Sequence, residues 1–62
     1  MPNVGDVVSF ILDRDGRVTA VTGEVLGVRA DFVNRDVYAI LVAGIDSWIQ
    51  LDESVKVRKV NG

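Results

Sequence analysis

The chain has 62 residues, with seven basic and nine acidic side chains, a net charge of −2, and neither cysteine nor histidine. A chain of this length forms one small domain, residues 1–62, which buries only about 60% of its unfolded surface. The missing cysteine and histidine exclude disulfides and the usual zinc frameworks, and the acidic balance disfavours nucleic acid as a partner. Oligomerisation is the remaining common way to stabilise so small a domain.

The first segments of the chain predict a β-hairpin. Val7–Leu12 is rich in β-branched and aromatic residues, which favours a strand, with alternate side chains from Val8 onward on one face. The turn Asp13–Gly16 ends in a glycine that can take the positive φ of a tight reversal, and Arg17–Thr22 returns as the second arm. The turn begins like a calcium loop, but no further oxygen ligands follow at the required spacing, so we predict no metal site.

The next segment predicts a second strand that ends in a polar turn. Gly23 indicates a bend or a bulge. Glu24–Ala30 predicts a strand, in which Gly27 indicates coiling or close packing. Asp31–Asp36 predicts a turn, with Asn34 as a candidate for the left-handed backbone conformation.

The segment Val37–Ala43 is apolar on both of its strand faces. Strands of a small antiparallel sheet normally have one wet face and therefore alternate between apolar and polar residues. A chain of 62 residues has little else to cover the second face, so we predict that another copy of the chain covers it. The predicted oligomer interface consists of Tyr38, Ile40, Leu41, Val42 and Trp48.

The remaining segments complete an all-β fold. Ser47–Leu51 predicts a strand, Asp52–Ser54 a short turn of 3₁₀ type, and Val55–Val60 the last strand. Short strands, tight turns and one short helical turn before the last strand are typical of a small five-stranded SH3-like barrel. Closing the sheet into a barrel also removes exposed strand edges.

Two side chains near the fourth strand are candidates for ligand binding. Trp48, the only tryptophan, either packs in the core or at a subunit contact, or offers an aromatic platform to a peptide or a ring-shaped ligand. Gln50 shares a strand face with Trp48 and carries a donor and an acceptor, although glutamine is usually solvated. Together with Ile49 and Leu51 they form the predicted ligand-binding set.

The only basic cluster is Lys56-Val57-Arg58-Lys59. In a strand, Lys56 and Arg58 share one face and Lys59 lies on the other. Lysine on an edge strand commonly blocks aggregation, and this structural role competes with a phosphate-binding track. The acidic net charge favours the structural role.

From Gly23 to Asn61 the chain resembles the second half of the type II, trimethoprim-resistant dihydrofolate reductases. The similarity rests on segments at similar spacing, which are Gly23-Glu24-Val25-Leu26-Gly27, Tyr38-Ala39-Ile40, Ile49-Gln50-Leu51 and Val60-Asn61. The resemblance implies an SH3-like barrel that assembles as a tetramer around one shared pore. In that family the pore binds NADPH and the pterin substrate.

Two positions depart from the reductase pattern. The pore motif of the family, Val-Gln-Ile-Tyr, maps onto Ile49-Gln50-Leu51-Asp52, so that Asp52 replaces the tyrosine. The pore lysine that attracts the cofactor phosphates falls near Phe10. Because an acidic pore repels an anionic dinucleotide, the resemblance implies the fold and the assembly more than the reductase activity. If the activity were kept, Gln50 would orient ring edges, and Ile49 and Leu51 would stack on the ligands.

A second resemblance is to the Sm-like RNA-binding rings. The segments Gly23–Asn34 and Ile49–Val57 resemble the two motifs of that family, and Asp31-Phe32-Val33-Asn34 resembles its RNA-contacting turn. This resemblance implies a ring with Asn34 and Arg35 at the pore turn and the basic cluster behind them.

These observations predict a self-associating SH3-like barrel that acts as a non-catalytic structural or binding module. Its predicted partner is the chain itself, in a homo-oligomer that the reductase resemblance makes a tetramer, with a protein or a small ring-shaped molecule as a further ligand. An NADPH-dependent reductase-like pore enzyme is the first alternative, and an RNA-binding ring is the second. No apolar run approaches the roughly 20 residues that span a bilayer, so we expect a soluble, cytoplasmic protein without a membrane partner.

Overall fold

The structure is a computed structural model that describes residues 2–30, 33, 37–52 and 54–60. Its five strands are β1 (Val7–Arg14), β2 (Arg17–Ala30), β3 (Tyr38–Val42), β4 (Ile49–Leu51) and β5 (Arg58–Lys59). They form one antiparallel sheet in the order β4-β3-β2-β1-β5. The predicted all-β, five-stranded small barrel is confirmed. The barrel is not closed, because the described residues of β4 and β5 do not pair with each other.

A two-residue loop joins β1 to β2. Asp15 and Gly16 have φ angles of 52° and 77°. Positive φ at both central residues is the signature of a type I′ turn, whose twist matches that of the strands it connects. The predicted hairpin turn is therefore confirmed, and β1 continues to Arg14, two residues beyond the predicted end.

The long strand β2 passes through Gly23 without a break, and Val8 pairs with Gly23 in the regular register. The irregularity lies further on, between Val25 and Gly27, where the register with β3 shifts. The predicted bend at Gly23 is therefore misplaced by a few residues. Gly23 is instead a site of close packing, because a Cβ atom there would lie 2.7 Å from Cγ1 of Val42.

The core consists of apolar side chains from the inner face of the sheet, and the described residues contribute no buried polar or charged side chain to it. Its members are Val8, Phe10, Val21, Val25, Ile40, Val42, Ile49 and Leu51. They alternate along each strand, as expected for a sheet with one covered face. Burying each of these side chains stabilises the fold by roughly 1.5–3 kcal/mol.

The last predicted strand, Val55–Val60, is shorter than expected, since only Arg58–Lys59 pairs with β1. Before it, the backbone N–H of Val55 donates to the carbonyl of Asp52 at 3.1 Å, which closes a turn where 3₁₀ geometry was predicted. The predicted turn Asp31–Asp36 lies outside the described residues except for Val33.

Replacing Gly23 by alanine should destabilise the fold by about 1–3 kcal/mol, because the new methyl group meets a fully buried side chain and overpacks the core. The combination of Gly23→Ala with Val42→Ala should cost less than the sum of the two single changes, since the second change removes the atom that clashes. Urea denaturation of the four proteins measures this coupling. Strict additivity would show that Gly23 is not a packing constraint.

Candidate functional site

The side chain of Trp48 crosses the outer face of the central strand. Trp48 immediately precedes β4. Its indole nevertheless reaches β2, because a Cβ atom on Gly27 would lie 2.8 Å from Cη2 of the indole. Because β3 lies between β4 and β2 in the sheet, the indole must pass over β3 to reach Gly27. The close approach requires a residue without a side chain at position 27, which confirms the predicted close packing of Gly27.

The same indole explains how one chain covers both faces of β3. Leu41 is paired with Gly27 on the outer face, and both Leu41 and Ala39 are half-buried. The premise that the chain has little else to cover this face does not hold, because Trp48 of the same chain lies across part of it. That another copy also contacts this face stays a prediction. In the predicted oligomer interface, Ile40 and Val42 belong to the core and have no surface to offer a partner.

Arg29 occupies one face of the Trp48 ring. The guanidinium carbon lies 5.0 Å from the ring centroid, which is the geometry of a cation–π interaction. Trp48 keeps 40% of its surface exposed. With its edge on Gly27 and Arg29 above it, the indole is held by its own chain, so the predicted platform for a ring-shaped ligand already carries a cation.

Gln50 and Trp48 share one surface, as predicted. Both line a cleft of about 480 Å³, together with Arg14, Val37, Leu51 and Asp52. The other two members of the predicted ligand-binding set, Ile49 and Leu51, are core residues, so the stacking role that the reductase alternative gives them has no exposed surface. Phe10, near which the family's pore lysine would fall, is also buried.

The basic cluster is divided between two sides of the fold. Lys56 and Arg58 line one groove of about 420 Å³ beside β1, whereas Nζ of Lys59 lies 3.4 Å from Oδ1 of Asp6. The predicted division of these three cations between two faces is confirmed. Asn34 and Arg35, the pore-turn residues of the RNA-binding alternative, lie outside the described residues.

Two carboxyl groups are stabilised in their charged form. The backbone N–H of Asn3 donates to Oδ2 of Asp6 at 3.0 Å, and this bond, with help from Lys59, lowers the pKa of Asp6. The hydroxyl of Ser54 and its N–H, the latter at 2.9 Å, both donate to Oδ1 of Asp52 and lower the pKa of Asp52. Both carboxylates therefore hold turns together rather than serving as proton donors.

A second cleft, which the sequence did not predict, lies between the tip of the β1–β2 hairpin and the turn after β3. We call it the hairpin cleft; its volume is about 590 Å³. It is lined by Leu12, Arg14, Asp15, Arg17, Thr19, Val21, Ile45, Ser47 and Ile49. The alternation of side chains along β1 is enough to predict that Arg14 shares a face with Phe10. That Arg17 lies beside Arg14 follows only from the register between β1 and β2.

Arg14 also bridges the gap between β1 and β4, which we call the seam. Its Nη2 donates to the backbone carbonyl of Gln50 at 3.4 Å.

Within the described ranges, no three acidic side chains come together as a metal site would require, and no helix long and apolar enough to cross a membrane is found there.

Comparison of the chain with protein-family models, with curated proteins and with solved structures finds no match. The likeness to the type II reductases and the likeness to the Sm-like rings therefore stay predictions.

Replacing Gly27 by alanine should displace the indole of Trp48, because the new methyl group would lie 2.8 Å from Cη2. We expect a loss of about 1–3 kcal/mol in unfolding free energy and a red shift of the single tryptophan's emission. In a Trp48→Phe background, whose shorter ring does not reach position 27, Gly27→Ala should cost little. Unchanged emission and unchanged stability in the first variant would contradict the crossing of β3.

Lowering the pH should weaken the fold through Asp6 and Asp52. Because both pKa values are lowered from 3.8 on folding, their contribution is complete above that value and is lost as the pH falls through the folded-state pKa values. Thermal midpoints measured between about pH 7 and pH 2 should therefore fall less for the Asp6→Asn/Asp52→Asn variant than for the wild type. The matched control is Asp46→Asn, because Asp46 is exposed and its side chain makes no hydrogen bond with the described residues. If the midpoint of Asp46→Asn depended on pH as weakly as that of the double variant, the effect could not be assigned to Asp6 and Asp52.

Proposed function

We propose that this chain is a non-catalytic binding module that works as a homo-oligomer. The observation that carries the proposal is the amount of apolar surface that a single chain leaves uncovered. The core has eight buried side chains, whereas large apolar side chains elsewhere in the described chain remain exposed. Those with at least 40% of their surface exposed are Val4, Ile11, Val18, Leu26, Val33, Trp48 and Val60.

Two of these exposed apolar side chains, Ile11 and Val18, lie on the same side of the hairpin. Ile11 and Ala20 are directly opposite each other, and Val18 is opposite Asp13 one step nearer the tip. Ile11 is 63% exposed and Val18 is 69% exposed. We call Ile11, Val18 and Ala20 the outer hairpin face; it supports self-association better than the central strand does, because Trp48 already covers that strand.

A second copy of the chain is the partner that this face fits. The Ile11–Ala20 pair at the centre of the face is uncharged, and Asp13 is beside Val18 at the end nearer the tip. On the other side of the centre, the Thr22 hydroxyl donates to the Ser9 hydroxyl at 3.2 Å. An uncharged apolar centre is self-complementary, which is what a two-fold interface requires. Two such faces can pack about 10 Å apart, as the sheets of a β-sandwich do.

The total surface supports the same proposal. The chain exposes 4648 Å², whereas a compact monomer of 6.7 kDa exposes about 3,900 Å². The excess is close to the roughly 800 Å² that each partner buries in an interface of standard size. An interface of that size would bring the exposed area of each copy near the ordinary value.

A tetramer, as the reductase resemblance implies, would need a second contact between two such dimers. Two members of the predicted interface keep surface on the outer side of β3 for it, namely Leu41 and Trp48, whereas Tyr38 packs against the core on the other side. Symmetric tetramers commonly combine two different two-fold interfaces in this way. We therefore propose the outer hairpin face as the primary contact, and Leu41 with Trp48 as the secondary one.

Replacing Ile11 by aspartate should break the oligomer, because it places a charge at the centre of the primary contact without touching the core. The absolute mass from light scattering at several concentrations should fall from a multiple of 6.7 kDa to the monomer value. The matched control is Leu26→Asp, since Leu26 is 50% exposed at the bulge of β2, away from the outer hairpin face.

A wild-type mass near 6.7 kDa at all concentrations would refute self-association. If Leu26→Asp dissociated the oligomer and Ile11→Asp did not, the interface would be assigned to the wrong face. If Leu41→Asp dissociated the oligomer and Ile11→Asp did not, the primary contact would be the central strand β3 and not the outer hairpin face.

A further inference from the structure

The hairpin cleft holds two arginines on the same side. Arg14 and Arg17 are directly opposite each other in the last pair of the hairpin, and both line the cleft. Like charges directly opposite in an antiparallel pair are destabilising. Neither guanidinium forms an ion pair with a residue that the structure describes. The fold therefore keeps two cations together without an ion pair to any described carboxylate.

The acidic residues of the hairpin tip do not neutralise this pair. Among the described residues that line the cleft, Asp15 is the only acid, and it makes no ion pair with either arginine. Asp13 belongs to the opposite side of the hairpin, in register with Val18. The cleft therefore has a net charge of +1, which a single monovalent anion would balance.

Below the arginines the cleft is apolar. Val21 and Ile49 are buried core residues, while Leu12 and Ile45 are half-buried and pack against the core. Its volume of about 590 Å³ lies within the roughly 300–1,000 Å³ of small-molecule sites, which are typically apolar with a few convergent polar groups. The mouth thus suits an anion, and the floor suits a hydrocarbon group.

We propose that the hairpin cleft binds a small amphiphilic monoanion, a carboxylate attached to an apolar chain. The carboxylate lies between Arg14 and Arg17, where a guanidinium can donate two parallel N–H bonds to its two oxygens. The apolar chain packs on Ile45 and Ile49. This site is on the inner side of the hairpin, opposite the outer hairpin face, so it does not depend on the proposed self-association.

Arg14 is able to take part although it already donates to the carbonyl of Gln50. That bond is 3.4 Å long, beyond the 2.7–3.2 Å usual for such bonds. It uses one of the five N–H donors that a guanidinium carries. The guanidinium of Arg17 makes no hydrogen bond with the described residues, so its five N–H donors are available to the ligand.

Titration with octanoate, followed through the methyl resonances of Leu12, Ile45 and Ile49, tests the site. We expect saturable shifts at these methyl groups with a Kd of about 1 mM or tighter. Octanol, which has the chain without the charge, and acetate, which has the charge without the chain, should each bind at least about tenfold more weakly. The light-scattering mass of the same samples shows whether the oligomer is unchanged.

Removing one cation should weaken octanoate binding without weakening the fold. Arg17→Gln should raise the Kd about tenfold or more. It should leave the thermal midpoint equal or higher, because it relieves the repulsion with Arg14. The matched control is Arg58→Gln, which removes one exposed cation that does not line the hairpin cleft and should leave the Kd unchanged.

Three results would overturn the proposal. The first is no saturable shift at about ten times the expected Kd. The second is octanol binding as tightly as octanoate, which would mean that the cleft binds the apolar chain without using the two arginines. The third is an equal loss of affinity in Arg17→Gln and Arg58→Gln, which would mean general attraction to positive charge. Saturable octanoate binding by the Ile11→Asp variant would separate this site from the proposed interface.

Discussion

The contact between the Trp48 indole and Gly27 is the interaction on which the outer side of the sheet depends. The central strand β3 is apolar on both faces, and its inner face is filled by the core. Its outer face is covered by a single side chain that reaches across it from the start of β4. This arrangement works only because the register shift between Val25 and Gly27 places a glycine opposite Leu41, where the indole needs space.

The length of β2 sets the second constraint. Its 14 residues pair with β1 in their first part and with β3 in their last part. The part nearest the tip extends past the core, so the hairpin there has two accessible sides. One side presents the apolar outer hairpin face, and the other presents Arg14 and Arg17 above an apolar floor. The hairpin of β1 and β2 thus contributes to both the proposed interface and the proposed ligand site.

The sequence was sufficient for features that depend on neighbouring residues. The alternation through Val8 and Phe10, the Asp15-Gly16 turn and the close packing at Gly27 are all confirmed, because strand period and turn chemistry are local properties. The sequence was insufficient for features that depend on a contact between residues far apart in the chain. That Trp48 covers β3 follows from a tertiary contact, and no strand pattern contains that contact. Gly23 was misinterpreted because a glycine in a strand can mark either a bulge or a close approach.

The cation pair was missed for a related reason. Along the chain, Arg14 and Arg17 are separated by a tight turn and flanked by Asp13 and Asp15, so they resemble an ordinary solvated hairpin tip. The type I′ turn sets a register in which the two arginines face each other and Asp13 faces away. The repulsion that makes the pair notable is therefore a product of the register, not of composition.

The open seam connects these features. The described residues of β1 and β4 do not pair, and the Arg14 side chain makes a hydrogen bond between them, a long one to the carbonyl of Gln50. Arg14 lines both the hairpin cleft and the cleft beside Trp48. Its position is set by the hairpin register rather than by that one weak bond, so an anion that recruits its guanidinium would sacrifice little of the fold's stability. In this unclosed barrel, the guanidinium of Arg14 is therefore accessible from both clefts.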